Sequence, residues 1–101
     1  MHNYALLFTT YSGNDDNPVI LPADPNKHYI LHSLEIQASG NIALKLWNGS
    51  EVFKDYRLNP NSNISVLRTA LPTITSSFSI TRPSNTISIY VSVVYEEVHV
   101  D

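Results

Sequence analysis

The chain has 101 residues, no cysteine and a formal net charge of −3, and only 15% of its residues are charged. That length fits one domain with one core, and the missing thiols exclude disulfide staples and thiolate metal sites. The six Lys and Arg lie scattered at 27, 45, 54, 57, 68 and 82, so no basic run exists to neutralise a phosphate backbone and nucleic acid is not an expected partner.

Asn, Ser and Thr fill many of the polar positions. Ser and Thr tolerate strand faces, and Asn suits turns. A surface so poor in charge does little to repel neighbours, which suits a protein that touches others. The N-terminal Met-His-Asn-Tyr-Ala-Leu-Leu-Phe has no basic region before its apolar residues, so no signal peptide is expected. No apolar run is long enough to span a bilayer, so no membrane partner is expected. The triplets Asn48-Gly49-Ser50 and Asn63-Ile64-Ser65 match the glycosylation pattern by chance in an Asn/Ser-rich chain.

The first segment, about Asn3 to Tyr11, is apolar on both faces, with Tyr4, Leu6 and Phe8 against Ala5, Leu7 and Tyr11. This predicts a strand covered on both sides or one contacting a partner. Ser12 to Pro18 is a run of turn formers. Val19-Ile20-Leu21, held between Pro18 and Pro22, reads as an edge strand, because proline cannot donate to a ladder. Ala23 to Lys27 is a second turn cluster.

His28 to Gln37 alternates, placing Ile30, Leu34 and Ile36 on one face with His28 and His32. Tyr29, Leu31, Ser33 and Glu35 are expected on the other. Ala38 to Asn41 turns the chain, with Gly40 free to take positive φ. Ile42, Leu44 and Leu46 then alternate with Ala43, Lys45 and Trp47. Asn48-Gly49 predicts a type I′ hairpin pairing about Asn41–Trp47 with about Glu51–Leu58.

Asn59 to Asn63 is a polar loop, and Ile64 to Arg68 a short strand broken by Ala70-Leu71-Pro72. Thr73 to Thr81 reads as one strand with Ile74, Phe78 and Ile80 inward. Arg82 to Asn85 turns into the most regular run of the chain, Ile87 to Tyr95. There Ile87, Ile89, Val91, Val93 and Tyr95 fall at every second position over roughly 30 Å. After Tyr95 the phase slips to Val98 and Val100, which predicts a bulge near Glu96-Glu97 or a change of partner surface.

About eight short strands and no helical period predict an all-β, two-sheet antiparallel sandwich in a single domain over residues 1–101. The absent Cys-Trp-Cys arrangement favours a jelly roll over an immunoglobulin-like alternative.

No residue set states a reaction. His28 and His32 share a strand face but stand about 13 Å apart, too far to hold one ion. Asp15 and Asp16 lack the spaced ligands of a calcium loop. Glu96 and Glu97, adjacent on a strand, point to opposite faces and make a poor acid–base pair. There is no Gly-x-Ser-x-Gly elbow and no phosphate loop. The expectation is no catalytic residue, no cofactor and no metal, hence not an enzyme.

Aromatics are the remaining lead. Trp47, Tyr29 and Tyr90 fall opposite the apolar positions of their strands, alongside Leu31, Ala43 and Val94. They form core if one strand is turned inside out, a protein contact, or a platform for sugar rings. The candidate interface residues are Tyr4, Leu6, Leu7, Phe8, Trp47 and Tyr90. The segment Val98-His99-Val100 is a further candidate, able to add a strand to a neighbour.

From Tyr29-Ile30-Leu31-His32-Ser33-Leu34 through the Asn48–Ser50 turn and the Leu71-Pro72 step to Ile87–Tyr95, the chain resembles small β-sandwich structural proteins of tailed-phage virions. It looks like their decoration, cement and tail-associated proteins. The resemblance implies a non-enzymatic virion component, assembled in the host cytoplasm, that binds the major capsid protein or another virion protein as a dimer or trimer. The alternative is a carbohydrate- or receptor-binding module.

Overall fold

The computed structural model describes residues 6–82 and 86–100. Its strands are β1 (Leu7–Gly13), β2 (Val19–Leu21), β3 (Lys27–Ala38), β4 (Ile42–Asn48), β5 (Glu51–Leu58), β6 (Asn63–Leu67), β7 (Thr73–Ile74), β8 (Phe78–Thr81) and β9 (Ile89–His99). A 3₁₀ turn, Arg68–Ala70, separates β6 from β7. The first sheet has the order β1-β9-β3-β6, with β7 continuing along the same edge of β3, and the second has the order β2-β8-β4-β5. The fold is the antiparallel sandwich that period-two patterning predicts.

The wiring is that of a jelly roll. The strands pair as nested partners: β4 with β5, β3 with β6 and β7, β2 with β8, and β1 with β9. This is one long antiparallel ribbon with the β4–β5 hairpin at its tip. Rolling the ribbon up adds the β3–β9 and β4–β8 pairings and closes the two sheets.

The core lies between the sheets. Leu34, Ile36, Val91 and Val93 from the first meet Leu46, Phe78 and Ile80 from the second, all at 0% exposure. Burying an aliphatic or aromatic side chain of this size stabilises by about 1.5–3 kcal/mol, so this strip outweighs any single polar contact in the molecule.

Three expectations need correction. First, the phase change is in β3, while β9 continues through Glu96 and Glu97 in unbroken register with it. The β3–β9 register shifts between Leu31 and Ser33, so His32 is the extra residue of a bulge. Tyr29 and Leu31 therefore point inward at 4% and 1% exposure, as do Leu34 and Ile36 beyond the bulge. The physical reason is the three-residue step from Leu31 to Leu34, which period two cannot bridge without an added residue.

Second, Thr73–Thr81 is two strands in different sheets. β7 pairs with β3, and β8 pairs with β2 and β4. The crossing at 75–77 is held by Asn48, whose Oδ1 accepts hydrogen bonds from Thr75 N and Ser76 N, each at 3.1 Å. Gly49 N donates to Ser77 O at 2.8 Å.

Third, Asn48 pairs with Glu51 as the last rung of the hairpin, which leaves Gly49-Ser50 as the turn. Gly49 has φ +61° and no other kind of residue has positive φ among those described, which fits a II′ turn in place of I′. Gly40 serves close approach and has no positive φ. A Cβ there would stand 2.6 Å from Ile87 Cδ1.

Tyr29 also carries a pH signature. Its hydroxyl donates to Pro22 O at 2.6 Å, and its ring meets Tyr95 edge-on at 5.8 Å. Burial holds its phenol above the ordinary value, and the Glu97 carboxylate adds to the shift. A phenol whose pKa is raised by folding supports the fold fully below the unfolded value of about 10, and that support is lost as pH rises through the folded pKa. Tyr29→Phe should therefore cost about 1 kcal/mol at neutral pH through the lost hydrogen bond. The gap from the parent should narrow above about pH 10. Urea titrations across that range test this, and parallel alkaline losses in both proteins would reject it.

Candidate interaction surface

Directly paired residues share a face of the sheet. Phe8 pairs with Val94, Val94 with Ser33, and Ser33 with Leu67. These residues make one row across the outer face of the first sheet. Phe8 is 64% exposed and Leu67 69%. In the next row Glu96 pairs with Ile30, and Ile30 with Thr73. Leu6 immediately precedes β1 and is exposed, as is Val98 two residues beyond Glu96. Exposed apolar groups thus border this end of the sheet.

Within that apolar surround sits a polar pair. Glu96 is only 6% exposed. Its Oε1 lies 2.9 Å from Nε2 of His32, the bulge residue. The bulge re-aims His32 toward Glu96, which plain alternation would not have arranged.

The sheet edges differ in how they resist pairing with other chains. β2 is short and lies between Pro18 and Pro22. β5 carries Glu51, Lys54, Asp55 and Arg57 and has a register shift against β4. β6 and β7 are short and interrupted by the 3₁₀ turn. β1, Leu-Phe-Thr-Thr-Tyr-Ser-Gly, has seven residues with no charge and no proline. It lacks the usual edge protection.

The structure brings some predicted interface residues together and separates others. Leu6, Phe8 and Val98 lie at the same end of the first sheet. Leu7 is paired with Tyr95, one position out of phase with Phe8, and is less exposed than it. Tyr90 is on the outer face, about 14 Å along β9 from Val94, and is 41% exposed. Val98 pairs with His28, and Val100 N donates to Asn26 O at 2.9 Å, so this end belongs to its own sheet. Trp47 lies on the second sheet, away from the others, with its indole N–H donating to Thr81 Oγ1 at 2.8 Å. Tyr29 and Leu31 are core, so no common platform with Trp47 exists. Tyr4 lies outside the described residues. Sequence reasoning missed Leu67, although its signal was present: Ile64 and Val66 take the inward phase, which leaves Leu67 outside.

Among the described residues no group of three or more His, Asp or Glu could hold a metal ion. Asp15 uses its backbone: its N–H donates to the Tyr11 hydroxyl at 2.9 Å and its carbonyl accepts from Arg82 Nε at 2.9 Å. The sequence matches no protein-family model and no curated protein.

Proposed function

We propose that this protein is a non-enzymatic structural component of a tailed-phage virion, a capsid decoration or cement protein that binds the lattice through the outer face and β1 edge of its first sheet. The observation that carries this reading is the pair of exposed apolar side chains Phe8 and Leu67, at the two ends of a row through half-buried Val94 and Ser33, with Phe8 on an edge strand that has no charge and no proline. Such a surface favours association, because burying it recovers about 25 cal/mol per Å² of apolar area. A dimer or trimer would seat several copies of the surface at once, so each contact can be modest while the assembly holds firmly. The partner is the major capsid protein or another virion protein, and the place of action is the particle.

The test is cosedimentation with capsid shells, with light scattering for the free protein. The parent should be oligomeric and should raise the temperature at which shells rupture. Phe8→Asp with Leu67→Asp should weaken shell binding at least tenfold while circular dichroism stays unchanged. A strict monomer that never sediments with shells would end this proposal.

A further inference from the structure

The outer face of the second sheet carries a trough. Alternation along β4 buries Ile42, Leu44 and Leu46 and leaves Ala43, Lys45 and Trp47 outside. On β5, Arg57 stands opposite Ala43 and Asp55 opposite Lys45. The short Ala43 side chain lies between longer neighbours, so the floor is low there. The resulting depression is about 610 Å³, with Lys45, Asp55, Arg57 and Thr81 around it. A second depression of about 390 Å³ shares Ala43 and Arg57 and runs on to Asn41 and Asn59.

The chemistry of this lining is specific. Lys45, Asp55 and Arg57 are exposed and form no ion pair with another described residue. With the buried Arg82, which also lines the depression, three cations outnumber the one acid, although the chain as a whole has a net charge of −3. Thr81 accepts the indole N–H of Trp47, which leaves its own hydroxyl hydrogen to donate. Trp47 stands next after Lys45 on the same face of β4. From Asn41 to Trp47 the strand covers about 20 Å, the reach of a short oligosaccharide. Separated charges, amides, a hydroxyl and an aromatic ring are what a sugar chain with an occasional acid group requires. A densely charged phosphate backbone would meet Asp55 and be repelled.

We infer that this trough binds an acidic oligosaccharide. Its carboxylate or sulfate pairs with Arg57 and Lys45. Its hydroxyls bond to Asp55, Thr81 and the Asn41 and Asn59 amides, and one ring packs on Trp47. The site uses the sheet opposite the proposed lattice contact, so either proposal can stand without the other.

Trp47 is the only tryptophan of the chain, and it stands two residues beyond Lys45 on β4 with its indole N–H bonded to Thr81 of the lining, so its emission is the probe for a ligand that reaches this end of the trough. The protein is titrated with trigalacturonate and with a heparin tetrasaccharide, against maltotriose, inorganic phosphate and triglutamate. At least one acidic glycan should give a saturable change in emission. Arg57→Ala and Lys45→Ala should each weaken that binding about tenfold, with circular dichroism unchanged. Arg68→Ala, beside the first sheet, should leave it as it was. No saturable change with either acidic glycan would overturn the inference. So would maltotriose, phosphate or triglutamate binding as tightly.

Discussion

Phe78→Ala should remove about 3–5 kcal/mol of stability, the usual cost of deleting a buried aromatic ring. Phe78 opens β8 immediately after the chain crosses between sheets, and it is 0% exposed. It is paired with Asn48 on one side and Leu21 on the other, so two strands meet across it. Its ring lies 6.0 Å from that of Phe53, which sits where the β4–β5 register shifts. The backbone around the site is pinned by the Asn48 and Gly49 hydrogen bonds to 75–77. The walls therefore have little freedom to collapse, which places the loss toward the upper end of the range. Domains of this size are stable by about 5–15 kcal/mol, and a drop of about 4 kcal/mol lowers the melting temperature by about 15–30 °C. Urea unfolding followed by Trp47 emission measures the effect. Val52→Ala, at an exposed position of the same hairpin, should change stability by less than about 0.5 kcal/mol. If the two variants lost equal stability, the core would not be where the structure puts it.

The sandwich was legible because period two survives wherever one face is buried, and the two prolines around β2 announced an edge strand. Illegible features were those set by distant partners. The step from Leu31 to Leu34 broke the alternation in plain sight, but only the register against β9 shows that His32 is the extra residue. Nothing local marks 75–77 as a crossing, since Thr73–Thr81 alternates well enough to pass for one strand. The signal was Ser76, a polar residue on the apolar phase, together with an Asn at the hairpin that was free to bind it. The exposed residues Leu6, Phe8 and Val98 were found because an apolar strand end is visible in one dimension. The trough was missed because its lining comes from β4, β5 and the end of β8, which meet only in the folded sheet.

His32→Ala should destabilise by about 3 kcal/mol, a large effect for a surface-facing strand residue. Glu96 is only 6% exposed, and its carboxylate would lose the His32 contact at 2.9 Å. Removing one member of a buried polar pair leaves the other with its desolvation penalty uncompensated. His32 has a 22% exposed side chain, so water can partly replace it, and this holds the loss near the lower end of the usual range for such pairs. The double change His32→Leu with Glu96→Leu removes the penalty together with the pair, and its stability should return to within about 1 kcal/mol of the parent. A histidine that merely filled space would behave differently, with the double variant losing at least as much as the single one. The comparison also bears on association. Replacing the pair by leucines joins Leu6, Ile30, Val94 and Val98 into one apolar face, so the doubly changed protein should self-associate at lower concentration than the parent by light scattering. Unchanged association alongside recovered stability would show that the His32–Glu96 pair orders the bulge without limiting what the face can bind.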